Sequence, residues 1–182
     1  MKDPSKRLVL LYSRDQIAQR ISELAAAISA DYAGSDLVLI GILRGAFVFL
    51  ADLMRQLTIP VKVDFIGAAS YGSGTQTSGQ VAMTKGLQLP VSGRDLLLVE
   101  DILDTGVTLQ KIKTKLNELA PCSIKICTLI DKRERRRVDV PVDYVGFQVD
   151  QGFIVGYGID YAERYRYLPD IYRIVEPGKP GE

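Results

Sequence analysis

The chain has 182 residues, 23 lysines and arginines against 22 acids, a net charge of +1 and no histidine. That length is one domain, able to bury about 70% of the surface of its unfolded chain without help from disulfides or metal. The balanced charge gives no case for nucleic acid or an anionic membrane, and the missing histidine removes Ser-His and Cys-His nucleophilic sites and imidazole-held zinc. A general base must then be Asp, Glu, Lys, Tyr or Cys, and a hard cation on oxygen ligands, Mg²⁺ above all, is the expected metal.

Residues 8–11 form an apolar run too short for a signal peptide, and nothing approaches the roughly 20 apolar residues of a membrane span, so a cytoplasmic protein is expected. Ser13 and Gln16 make a capping box, and Ile17, Ile21, Leu24 and Ile28 follow at helical spacing, which predicts a helix over 13–30. Residues 37–42 read as a buried strand. A second helix, 46–57, follows, with an apolar face that includes Phe47, Leu50 and Met54. Residues 61–66 are another apolar strand, and the glycine-rich segment 69–79, with no apolar periodicity, reads as a mobile loop.

The run Leu96-Leu97-Leu98-Val99 has the character of a strand buried on both faces and is expected to stop at Glu100. From Leu109 the positions Leu109, Ile112, Leu116 and Leu119 recur at helical spacing until Pro121. Between them lies Glu100-Asp101-Ile102-Leu103-Asp104-Thr105-Gly106-Val107-Thr108. Ligands in open α/β sheets bind at the carboxyl ends of strands, and a helix N-terminus offers N–H groups to an anion. Asp104 to Thr108 therefore suit a phosphate, and Glu100 and Asp101 suit two vicinal sugar hydroxyls.

Residues 123–130 form a further strand. Cys122 and Cys127, five apart, would point to opposite faces as small core residues, neither bridged nor holding zinc. The run 132–137, interrupted by Glu134, reads as a mostly solvated loop. Lys132 differs by standing at a strand end, where it could donate to a carbonyl oxygen. Residues 144–149, 153–157 and 172–175 read as short strands of an antiparallel appendage, and Phe153 and Tyr157 on their own read as core aromatics. Neither a phosphate-binding P-loop nor a dinucleotide fingerprint is present, because Tyr161 stands where the third glycine after Gly156 and Gly158 would be.

Taken together, VEDILDTGVTL at 99–109 and YVGFQVDQGFIVGYGIDYAERYR at 144–166 resemble the type I phosphoribosyltransferases, in their 6-oxopurine branch. The resemblance runs from about residue 37 to the C-terminus. It implies an α/β fold: a mostly parallel twisted sheet flanked by helices, with a small hood built from terminal segments. The single domain, 1–182, would have a core of about 37–150, a hood from the N-terminal segment and about 151–182, and a lid over about 70–84 that begins at Ser70 and Tyr71.

The resemblance also assigns roles. Glu100 and Asp101 would bind the ribose hydroxyls, and Asp104, Thr105, Gly106, Val107 and Thr108 the 5′-phosphate, with Asp104 the general base at N7 of the purine. Lys132 would donate to O6, Phe153 would stack on the base, and the backbone of Ile154 would read its other edge. Leu43, Arg44 and Gly45 match the pyrophosphate loop, which in the family contains a non-proline cis peptide, and Arg166 would hold pyrophosphate. Mg²⁺ would be held by Glu100, Asp101 and Asp160, the last through water. Phosphoribosyl diphosphate, hypoxanthine and guanine are the implied substrates, and a homodimer or homotetramer the implied assembly. Xanthine or uracil as the base, or a non-catalytic regulator that senses phosphoribosyl diphosphate and binds nucleic acid through 132–137, are the alternatives.

Overall fold

The computed structural model describes residues 7–70 and 81–175. Its centre is a six-stranded sheet ordered β4-β3-β2-β5-β6-β7, comprising β2 (Leu37–Leu43), β3 (Val61–Ser70), β4 (Val81–Lys85), β5 (Asp95–Leu103), β6 (Ser123–Lys132) and β7 (Tyr144–Val149). Five of these strands run parallel, and β4 pairs antiparallel with β3 at one edge. Strand alternation divides the buried side chains cleanly. Leu37, Leu39, Leu97, Val99, Cys127 and Leu129 face the layer of α1 (Arg14–Asp31) and α2 (Phe47–Gln56). Val38, Ile40, Leu96, Leu98 and Ile126 face α3 (Val107–Asn117).

A second sheet of three strands, ordered β1-β9-β8, joins the two ends of the chain: β1 (Arg7–Tyr12), β8 (Phe153–Val155) and β9 (Ile171–Val175). Ile154, Tyr157, Ile159 and Ile171 carry it onto the α1/α2 core. The capping box of α1 is present, Ser13 N donating to Gln16 Oε1 at 2.9 Å and Gln16 N to Ser13 Oγ at 3.3 Å.

Several expectations are corrected. The strand at 96 runs on through Glu100 and Asp101 to Leu103, and β6 reaches Lys132, so the acids and the lysine are part of the sheet. β7 is a parallel strand of the central sheet, not part of the antiparallel appendage. β8 ends at Val155, since Gly156 and Tyr157 take positive φ of 99° and 50°. The buried face of α2 is Phe49, Leu50 and Leu53, while Phe47 and Met54 are exposed. The helix is apolar on most sides, so spacing alone could not choose its inward face. α3 ends at Asn117 and leaves Leu119 exposed, and Cys122 precedes β6 and is exposed rather than in the core. Of the expected lid, Ser70 ends β3 and residues 81–84 lie in β4, whereas Tyr71 to 80 lie outside the described residues.

The strand order places the site. The chain moves outward from β2 to β3 on one side and from β5 to β6 on the other, so the loops that leave β2 and β5 diverge between neighbouring strands. That topological switch point is where ligands bind in open α/β sheets.

Asp64 of β3 anchors the segment after β4. Its Oδ2 accepts from Gln88 N at 2.6 Å and Leu89 N at 2.8 Å, and Oδ1 accepts from Phe65 N at 2.7 Å with Lys85 Nζ at 3.5 Å. Burial raises the pKa of this carboxyl, but the N–H groups of Leu89, Phe65 and Gln88 and the charge of Lys85 outweigh it and hold the group below its ordinary value. Its stabilising effect is therefore full above the unfolded-state pKa of about 4 and is lost as pH falls through the lower folded value. Asp64→Asn should cost about 2–4 kcal/mol at pH 7, because donors aimed at the carboxylate lose acceptors. Urea denaturation checks this: the gap to wild type should shrink at pH 3, and a gap that widens there would contradict it.

Candidate active site

Three strand ends meet at the rim of the sheet. After β2, the Leu43-Arg44 peptide is cis and leads through Gly45 into α2. After β5, Asp104 and Thr105 lead to Gly106, which caps α3 with a left-handed φ of 79°. A Cβ there would lie 2.4 Å from the carbonyl oxygen of Val138, so both the turn and the space demand glycine. Gly45 is fixed by closeness alone, since a Cβ on it would lie 1.7 Å from Asp101 Oδ2. These segments enclose a cavity of about 240 Å³ lined by Leu43, Arg44, Gly45, Glu100, Asp101, Asp104, Thr105, Gly106 and Thr108. It unites the expected ribose, phosphate and pyrophosphate ligands, except Val107 and Arg166.

The acids at its floor resist ionisation. Burial, then the neighbouring charge of Asp101, pushes the Glu100 carboxyl well above the usual range. Glu100 Oε2 is buried and has no hydrogen-bond partner among the described residues. Asp101, 8% exposed, is pushed up to about 6 by burial; backbone N–H groups and Arg166 pull the other way, and Asp160 adds to the rise. Such a pair suits hydroxyl donors or a cation. No three acidic or sulfur side chains among the described residues form a metal cage. The adjacent pair Glu100 and Asp101 thus suits a cation that takes most of its ligands from water and a bound phosphate.

The turn at 105–108 offers the start of α3. No side chain caps Gly106; the Thr105 hydroxyl accepts from Val107 N at 3.4 Å. The first-turn N–H groups and the Thr105 and Thr108 hydroxyls are the donors a phosphate needs. Nearby, Arg166 donates to Gly158 O at 2.7 Å and pairs with Asp160 at 2.6 Å. Arg44, largely exposed, pairs with Glu163.

Lys132 closes the opposite side. It is 5% exposed, yet Nζ stands 3.1 Å from Glu134 Oε2 and 3.9 Å from Asp104 Oδ1. Asp104 Oδ1 is buried and makes no hydrogen bond among the described residues. Glu134 Oε2 also accepts from Gly152 N at 3.1 Å, which ties the lysine to the turn before β8. Phe153 is 57% exposed and so is not the core aromatic its strand suggested, whereas Tyr157 is. The Phe153 ring meets Tyr161 edge-on with centroids 5.9 Å apart, and Lys132 Nζ lies 6.0 Å from its centroid. Ile154 is buried and paired opposite Arg173, so its side chain packs in the core. A planar heterocycle set against Phe153 would meet an ammonium donor and a carboxylate acceptor at once.

The reading of 132–137 as solvated is corrected at Arg136. Arg133 and Arg135 are exposed, but the Arg136 side chain is 16% exposed and bonds to backbone beneath the site. Its only sequence signal was a position four residues past the strand-end lysine. A larger, mainly apolar groove of about 660 Å³ lies between α1, α2 and residues 166–169, with Phe47 and Tyr167 at its surface and Asp52 its one acid.

Residues 11–162 match the phosphoribosyl transferase domain family. The chain is 50% identical over 162 residues to the hypoxanthine phosphoribosyltransferase of Salmonella typhimurium, covering 88% of this chain and 91% of that one. It is 43% identical over 170 residues to the hypoxanthine-guanine phosphoribosyltransferase of Aquifex aeolicus, covering 93% and 96%. Among solved structures, a hypoxanthine-guanine phosphoribosyltransferase of Bacillus anthracis superposes with a TM-score of 0.86 at 43% identity, covering 93% of this chain and 99% of that one.

The half-buried acid at 100, with its Oε2 out of solvent, opposes folding as it ionises in the free protein. A folded pKa raised above the unfolded value means that wild-type stability is fullest below about pH 4 and falls as pH rises through the folded value. Glu100→Gln should therefore melt above wild type at pH 7.5, with the gap closing toward pH 4. Thermal melts without ligand check this, and a variant that melts lower at pH 7.5 would contradict it.

Proposed function

Because this chain belongs to the phosphoribosyl transferase family, we propose that its strand-end rim binds phosphoribosyl diphosphate and a 6-oxopurine side by side and joins them. The activity is hypoxanthine phosphoribosyl transfer, a pentosyl transfer of purine salvage: the 5-phosphoribosyl group passes to N9 of hypoxanthine or guanine, giving IMP or GMP and pyrophosphate. The observation that carries the assignment of roles is the pairing of Asp104 and Lys132. They stand 3.9 Å apart on adjacent strand ends, with Asp104 Oδ1 unbonded.

In this reading the 5′-phosphate sits on the N–H groups and hydroxyls of 105–108, and the ribose hydroxyls donate to Glu100 and Asp101. Lys132 donates to O6, which draws electron density from the ring and favours loss of the N7 proton to Asp104. Phe153 covers the face of the base and the backbone of Ile154 reads its far edge. As the C1–pyrophosphate bond lengthens, positive charge grows on the sugar, and the carboxylates beneath the ribose stabilise it. Arg166 and Arg44 exchange Asp160 and Glu163 for the departing pyrophosphate. Glu100, Asp101 and, through water, Asp160 would hold Mg²⁺, which would supply charge neutralisation at the diphosphate.

A dimer or tetramer in the cytoplasm completes the proposal; no helix among the described residues is long and apolar enough to cross a membrane. Xanthine or uracil transfer and a nucleic-acid-binding regulator are less favoured, since the relatives above are named for hypoxanthine and Arg136 of the basic run is turned inward.

An absorbance assay with phosphoribosyl diphosphate, Mg²⁺ and each of hypoxanthine, guanine, xanthine, adenine and uracil should show product with the first two. No product from either would overturn the reading. Asp104→Asn should lower kcat about 10²- to 10⁴-fold, the usual worth of a general base, while diphosphate affinity changes only a few-fold. Unchanged turnover would remove Asp104 from the mechanism.

A further inference from the structure

Arg136 touches neither the cavity nor any proposed ligand position, yet its guanidinium reaches both strands that carry the purine-facing groups. Nε donates to Asp104 O at 2.9 Å, and Nη2 donates to Leu103 O at 3.1 Å and Lys132 O at 3.3 Å. Nη2 also pairs with the carboxylate of Asp131, which is 4% exposed. The next two residues continue the contact, Arg137 N and Val138 N donating to Thr105 O at 3.0 and 3.1 Å. Three successive carbonyls of the β5 turn are thus held from outside by one short segment.

We propose that Arg136 is a positioning residue for phosphoribosyl transfer: it locks the backbone at Asp104 to the backbone at Lys132 and so fixes the spacing of base and O6 donor. The inference rests on the reading of Asp104 and Lys132 given above. Only a planar, multi-donor fork meets acceptors on two strands at once; a lysine offers one compact ammonium. Asp131 neutralises the guanidinium where solvent cannot, and without it the buried charge would be costly. The backbone of 137 and 138 holds Thr105 independently of this side chain. Loss of Arg136 therefore loosens the purine side of the site and leaves the phosphate turn anchored.

The test is steady-state kinetics on the full chain. In Arg136→Ala, kcat/KM for hypoxanthine should fall about 30- to 300-fold, because a misplacement of about 1 Å at reacting groups costs about 10²-fold. The KM for phosphoribosyl diphosphate should stay within about threefold of wild type, since the N–H groups that cradle the phosphate are unaltered. Free guanidinium at about 10–50 mM should restore part of the hypoxanthine efficiency, a rescue that a purely structural role would not give. Should the alanine variant fail to fold, Asp131→Asn, which keeps Arg136 but removes its counter-charge, should show the same purine-selective loss at about 3- to 10-fold. Equal losses for both substrates, or a lowered melting temperature with unchanged kinetics, would overturn the proposal. If wild type itself forms no nucleotide, the reaction assignment falls and this inference with it; with wild type active, the variants judge Arg136 alone.

Discussion

Two adjacent carboxylates at the end of a central parallel strand, Asp101 buried and Glu100 half-buried with its Oε2 out of solvent, are the constraint around which the rest is arranged. Glu100 and Asp101 belong to β5 itself, so the ladder to β6 fixes them rigidly, and alternation sends one toward α3 and the other toward the α1/α2 layer. Neither is ion-paired to a lysine or arginine among the described residues. Burial raises the pKa of both carboxyls, so ionising them in the free protein is costly until a cation or hydroxyl donors reach them. Gly45 exists as glycine because Asp101 occupies the space its side chain would need. The loop after β2 is thereby pressed against Asp101.

The purine side follows from the neighbouring strand. In register, Leu103 lies opposite Asp131, which brings the ends of β5 and β6 level and sets Asp104 beside Lys132. Glu134 holds the lysine to the turn before β8, and Arg136 holds both strand ends from below. On the proposed reading, selectivity for a 6-oxopurine would become a matter of spacing between one donor and one acceptor. A site built to pair polar groups rejects a ligand that leaves them unpaired.

Most of this rim was legible in the sequence, because an apolar run that meets acids and a Thr/Gly turn has few structural outcomes. The helix positions of α1 and the residues of the turn at 105–108 could be read from period and turn chemistry, whereas β5 and β6 run past the ends their apolar stretches suggested. What could not be read depended on partners distant in sequence. β7 looks like any short strand, and only its pairing with β6 places it in the parallel sheet. Arg136 looks like Arg133 and Arg135 until the fold sets Asp131 and the carbonyls of 103, 104 and 132 around it. Phe153 was read by its strand as core, but β8 lies at the edge of the small sheet and turns that ring outward. The division of labour among acids came from the family resemblance; geometry alone marks them as a charged, ligand-ready group.

A crystal structure grown with IMP, Mg²⁺ and pyrophosphate tests the central claim most directly. The account predicts the 5′-phosphate on the N–H groups of 105–108, the ribose hydroxyls on Glu100 and Asp101, and the purine between Phe153 and Lys132 with N7 facing Asp104. A nucleotide seated in the groove between α1 and α2, or one whose ribose leaves both acids untouched, would contradict it.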